Sequence, residues 1–193
     1  MRLDSNLLNA HYNMGLTYND MGEHDSAITS FNRAINLNPD YANAYFGRGN
    51  AYYYNADYDN AITSYTQAIR LDPNVAGVYV NRSNAYYIKK DYDNAIADYT
   101  QAIRLDPNDM FLYYNRAGLH YIKKDYDQAI SDLTEAIRLN PNIAETYINR
   151  GDVHSAKGNN AKAIADYETA LRIDPDNAEA KEKLGKISGR VKQ

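Results

Sequence analysis

Along residues 42–75, Tyr45, Arg48, Gly49 and Tyr52 recur at i, i+3, i+4 and i+7, and Ala61, Ile62, Tyr65, Ala68 and Ile69 repeat that spacing further on. Two stretches of this period predict two amphipathic helices. Between them stands Ala56-Asp57-Tyr58-Asp59-Asn60, where Asp59 is expected at the start of the second helix, capping it or opposing its positive end. Leu71-Asp72-Pro73-Asn74 closes the pair, because proline disfavours helix for the residue before it and pre-sets the first turn of the next.

The pattern is tandem. Pro39, Pro73, Pro107, Pro141 and Pro175 each lie 34 residues after the last, without insertion or deletion. A fixed period of this length means one helical hairpin copied, each copy burying its apolar face against its neighbours. Aligned on proline as position 32, the units are 8–41, 42–75, 76–109, 110–143 and 144–177. Residues 1–7 precede them, and 178–193 follow as a capping helix and basic tail.

Small residues mark the close approaches: Gly49, Ser83, Ala117 and Gly151 at position 8, and Ala27, Ala61, Ala95, Ala129 and Ala163 at position 20. Large residues fill the facing spaces, with Tyr45, Tyr79, Tyr113 and Tyr147 at position 4 and Phe31, Tyr65, Tyr99, Leu133 and Tyr167 at position 24. With 20 tyrosines, many hydroxyls must reach a rim or a backbone carbonyl.

These residues resemble the tetratricopeptide repeat (TPR) family, whose pattern is aromatic, x2, Leu, Gly, x2, Tyr, then Ala, x3, Phe, then Pro. The resemblance spans residues 8–177 and implies an all-α fold, a right-handed superhelical solenoid of five helix-turn-helix repeats plus a C-terminal capping helix. Its concave inner surface would be lined by the first helix of each repeat. Tyrosine replaces the family tryptophan at position 4, His11 stands there in the first unit, and arginine replaces leucine at position 7.

Those arginines, Arg48, Arg82, Arg116 and Arg150, fall on the core-facing side, where an unpaired charge is costly. Position 23 supplies Asp98, Asp132 and Asp166, whereas the first unit has Met14 with Ser30 and the second sets Arg48 beside Ser64. Arg–Asp pairs within the third to fifth repeats are expected.

The formal charge of −4 argues against nucleic acid or an anionic membrane as partner, since phosphate binding needs clustered Lys and Arg. No apolar run reaches the ~18 residues of a membrane span, and cytoplasmic residence is the default, with a periplasmic or secreted location left open. The segment after residue 177 carries a net +3 and reads as a solvated cap. Met1-Arg2-Leu3-Asp4-Ser5-Asn6 echoes Ile69-Arg70-Leu71-Asp72-Pro73-Asn74, so the chain is expected to be a segment or shortened relative of a longer array.

Catalysis, metal and cofactor are not expected. His120 and His154 occupy position 11, where Tyr18, Tyr52 and Tyr86 stand elsewhere, so packing explains them. The Asp-Tyr-Asp-Asn stretches at 57–60 and 91–94 lack the glycine and glutamate of a calcium loop. There is no phosphate loop, nucleophile elbow or zinc spacing.

The functional signal is the opposite face of the first helix. Positions 2, 6, 9 and 13 lie about 160° from the core stripe. A helix face that merely met water would carry charges, but this one carries only Asp20, Glu145 and Asp152. Instead it holds Asn13, Asn81, Asn115 and Asn149 at position 6, interrupted by Gly47, and Asn50 and Asn84 at position 9. Beside them stand Tyr12, Phe46, Val80, Tyr114 and Ile148 at position 5, and Tyr53, Tyr87 and Tyr121 at position 12. Carboxamides both donate and accept, so they can hold the main chain of an extended peptide while aromatic neighbours receive its side chains.

The position-6 asparagines resemble the ladder in the repeats of O-linked N-acetylglucosamine transferases. Position 5 lacks the lysine with which another tetratricopeptide subgroup grips acidic chaperone tails. The expectation is a non-catalytic interaction scaffold binding a protein or peptide segment, extended and mostly uncharged. Alternatives are self-assembly into a homo-oligomer through terminal repeats, and a targeting arm of a larger enzyme such as a glycosyltransferase.

Overall fold

The computed structural model describes residues 5–191, and the backbone alone at 190 and 191. The echo over Met1–Asp4, the Arg190 side chain and Lys192 lie outside the described part. Eleven helices and no strand occur among the described residues.

Contacts divide the chain into two compact units, Met1–Leu105 and Asp106–Gln193. Unit 1 contains α1 (Ser5–Asp20), α2 (His24–Leu37), α3 (Ala42–Tyr54), α4 (Tyr58–Leu71), α5 (Ala76–Ile88) and α6 (Tyr92–Leu105). Each helix packs on its chain neighbours, and α3 also touches α1 and α5, so the first helices of this unit lie side by side. Unit 2 contains α7 (Met110–Ile122), α8 (Tyr126–Leu139), α9 (Ala144–Ala156), α10 (Asn160–Ile173) and α11 (Ala178–Val191), again packed in sequence. No described helix is long and apolar enough to cross a membrane.

The ends of the helices follow local chemistry. Asp57, Asp91 and Asp125, rather than residues such as Asp59, accept the backbone N–H of the third residue on. Asp59 lies inside the first turn of α4, where its charge opposes the positive helix end. The first helix of every repeat closes on a left-handed residue: Gly22, Ala56, Lys90, Lys124 and Gly158, with φ between 59° and 84°. At Ala56, for example, the N–H of Asp57 reaches back to the carbonyl of Tyr52, satisfying a terminal acceptor.

Position-20 and position-27 alanines are buried throughout, which lets the second helix lie close to its partners. The expected ion pairs form. Arg82 binds Asp98 by two bonds of 2.6 and 2.8 Å, Arg116 binds Asp132 by two of 2.7 and 2.8 Å, and Arg150 binds Asp166 by two of 2.7 and 3.0 Å. Without an aspartate, Arg48 takes Ser64 Oγ at 3.1 Å and Asn32 Oδ1 at 2.8 Å. Each guanidinium also sits 5.2–5.9 Å from the ring of the position-4 tyrosine three residues earlier, a favourable cation–π distance. The hydroxyls of Tyr79 and Tyr113 donate to the carbonyls of Pro73 and Pro107.

Candidate functional site

The first helix of each repeat turns one side to its own second helix and leaves its position-6 and position-9 side chains at the margin of the core. There a hydrogen-bond rule emerges from the ring at position 24. Tyr65 donates to Asn50 Oδ1 at 2.9 Å, Tyr99 to Asn84 Oδ1 at 3.0 Å, and Tyr167 to Asp152 Oδ1 at 2.8 Å. Where the hydroxyl is missing, at Phe31 and Leu133, position 9 has no acceptor either, holding Leu16 and Gly118.

In unit 1, Asn81 Nδ2 donates to the Asn50 oxygen already accepting from Tyr65, at 2.8 Å. The amide N–H groups of Asn50 and Asn84 have no partner among the described residues. With Tyr53, Tyr54, Tyr65 and Asn81 these two asparagines line a recess of about 80 Å³. In unit 2, Asn149 Nδ2 donates to the Tyr114 hydroxyl at 2.6 Å, and that hydroxyl donates to Glu145 Oε1 at 2.7 Å. Burial and the Glu145 carboxylate push the Tyr114 phenol up to about 12, so it stays a neutral donor at physiological pH.

The sequence-predicted residues therefore fall into four groups. Asn13 and Asn115 are exposed, their side-chain carboxamides without a hydrogen bond among the described residues, and Tyr87 and Tyr121 are 48% and 42% exposed. Asn50, Asn81, Asn84 and Asn149 are half-buried and partly engaged as described. Tyr12 and Phe46 are half-buried and lean on the core, at 5.9 Å from the Phe31 ring and 6.1 Å from the Tyr65 ring respectively. Tyr53 packs edge-on to Tyr58 at 5.6 Å, as Tyr87 and Tyr121 pack on Tyr92 and Tyr126. Ile148 is 1% exposed and lies in the core beside Ala163 and Tyr167, out of a ligand's reach.

Gly47 interrupts the asparagines for a steric reason. A Cβ there would stand 2.5 Å from the Phe31 ring, which a Cβ at Gly15 would also meet, at 2.7 Å. Phe31 is wedged between two glycines.

Sequence reasoning did not single out a cavity of about 270 Å³ in unit 2, lined by Tyr114, Tyr121, Leu133, Asn149, Asp152 and Val153 with Ala117 and Gly118. The signal was available: a 15-residue spacing links positions 9 and 24, and only the fourth repeat lacks a large side chain at position 9 and an aromatic at position 24 together.

A TPR repeat model matches residues 15–55 and 151–190, and tetratricopeptide repeat models match 46–110 and 111–143. No curated protein matches the sequence. Among solved structures the chain is similar to the MamA protein, with TM-score 0.83 and 20% identity over 91% of this chain and 96% of that one. It is similar to YrrB, a TPR protein with an unusual peptide-binding site, with TM-score 0.78 and 22% identity over 89% of each. The first TPR of Spaghetti (RPAP3), solved bound to the HSP90 peptide SRMEEVD, is 34% identical with TM-score 0.57, over 61% of this chain and 94% of that one. With these models following one another from residue 15 to residue 190 over stacked helix pairs, the chain belongs to the tetratricopeptide repeat family.

Proposed function

We propose that this chain is a non-catalytic interaction scaffold that binds an extended, mostly uncharged protein segment on the amide and aromatic faces of its first helices. The observation that carries the reading is a set of polar groups held ready but unspent: the amide N–H groups of Asn50 and Asn84, and the exposed carboxamides of Asn13 and Asn115. Exposed Tyr87 and Tyr121 stand near them in sequence and supply apolar contact area that binding would remove from water. Peptide binding by the YrrB and Spaghetti proteins supports the class of ligand. The acidic peptide of the latter is a poor guide to its charge, because position 5 here is Tyr12, Phe46, Val80, Tyr114 and Ile148, with no cation to meet a carboxylate.

A peptide-display selection tests this. Selected peptides are expected to be poor in Asp and Glu and to lose at least tenfold in affinity against Asn115→Ala or Tyr87→Ala, surface changes that leave the core intact. Retention of full affinity by both variants would remove the proposed face.

A second reading is favoured by the first helix and its end, where Leu7, Met14 and Leu16 on α1 and Met21 just after it are 39–63% exposed. Such side chains suit an interface between copies, and light scattering across a concentration series distinguishes it: a monomer at high concentration rules it out.

A further inference from the structure

The cavity of about 270 Å³ in unit 2 is the place where this chain leaves out one of its own side chains. In the second, third and fifth repeats, a tyrosine ring from the second helix crosses the hairpin and its hydroxyl ends on a position-9 acceptor of the first. In the fourth, Leu133 stops short of that reach and Gly118 removes the facing side chain. A Cβ at Gly118 would meet nothing within 4 Å. The space is larger than the ~150 Å³ that holds a benzene molecule in an apolar protein interior.

Its walls match a phenol rather than an aliphatic chain. Leu133, Val153 and Ala117 are buried and apolar, and Tyr114 and Tyr121 offer ring faces and edges. Asn149 and Asp152 contribute acceptors, and the polar side is acidic. Glu145 accepts from Tyr114, Asp152 accepts from Tyr167 and Lys183, and no Lys or Arg is among the residues lining the cavity to meet a phosphate.

Resting on the proposed peptide-binding role, we infer that this cavity is a side-chain subsite taking an unphosphorylated tyrosine of the partner segment, which replaces the ring the fourth repeat lacks. Hydrophobic burial of the ring supplies the attraction, the acceptors select the hydroxyl, and the carboxylates reject the phosphorylated form.

The probe is N-acetyl-L-tyrosinamide, titrated into methyl-labelled full-length protein with the Val153 and Ala117 methyl resonances as readout. Saturable shifts are expected, at least tenfold weaker with the O-phosphorylated probe. Two variants fill the space: Gly118→Asn with Leu133→Tyr, which installs the pair found in the second and third repeats, and Gly118→Leu, which leaves the core untouched. Both are expected to weaken binding at least tenfold. Absent shifts, or unchanged affinity in the folded filled variants or for the phosphorylated probe, would overturn the assignment. A selected peptide that binds wild type and Gly118→Leu alike but loses affinity with Asn115→Ala would retire the subsite while leaving the binding face in place. The small probe reads the cavity even if no selected peptide uses that face.

Discussion

The Tyr99 hydroxyl donates to Asn84 Oδ1 at 3.0 Å across a single repeat, with the tyrosine only 5% exposed. Burial pushes this phenol up to about 12, so it remains a donor throughout the accessible pH range. An acceptor for a buried hydroxyl is a structural need: left unmet, it costs about 1–3 kcal/mol.

Asn84→Leu is therefore expected to destabilise the chain by roughly that amount, about 1–3 kcal/mol, by stranding the Tyr99 hydroxyl. Adding Tyr99→Phe recreates the Leu16 and Phe31 combination of the first repeat and should recover most of the loss. Urea denaturation of the two single variants and the double variant measures the coupling, and additive losses would show that the pair is not linked.

Glycines separate by what faces them. At Gly47 an added methyl meets Phe31, which is fully buried and already pressed by Gly15, so the ring has nowhere to go. Gly47→Ala should cost roughly 1–3 kcal/mol through overpacking. Gly118→Ala, mid-helix and facing open space, should instead gain up to about 1 kcal/mol from helix propensity. Opposite signs in thermal unfolding are the expected outcome.

Much of this was legible in the chain because a fixed period converts spacing into place. The hairpins and the Arg82–Asp98, Arg116–Asp132 and Arg150–Asp166 pairs follow from counting, since residues 16 apart in a repeat of constant length return to the same relation. The asparagine face was only partly legible. Helical period assigns Asn81 and Asn149 to a face, but not the neighbour that takes their amide hydrogens. That neighbour comes from the preceding first helix, Asn50 for one and Tyr114 for the other. Ile148 was misplaced for a related reason: position 5 lies at the border of two stripes, and packing depth decides which side it serves.

The left-handed residue that ends each first helix carries a strain the sequence distributes unevenly. Gly22 and Gly158 adopt positive φ freely, whereas Ala56, Lys90 and Lys124 hold a side chain against the following carbonyl, at a cost of about 1 kcal/mol. Lys124→Gly is expected to raise stability by up to ~1 kcal/mol, less the added entropy of the unfolded chain. Its exposed side chain makes chemical denaturation a clean readout.

His120 and His154 make stability depend on pH. Burial lowers both below their ordinary value near 6.5, and the cations beside them, Arg116 and Lys123 for one and Arg150, Lys162 and Lys157 for the other, outweigh with it the pull of Asp132 and Asp125 or of Asp166. His154 is 7% exposed and its Nδ1 has no partner among the described residues. Above pH ~7 both rings are neutral, folded or unfolded, and pH has no leverage through them. As pH falls through 6.5 the unfolded chain takes up protons first, so stability drops until the folded-state values are passed. His154→Tyr, the residue at this position in the first three repeats, should shrink the stability difference between pH 7.5 and pH 5.5. An unchanged slope in that window would assign the pH response to other groups.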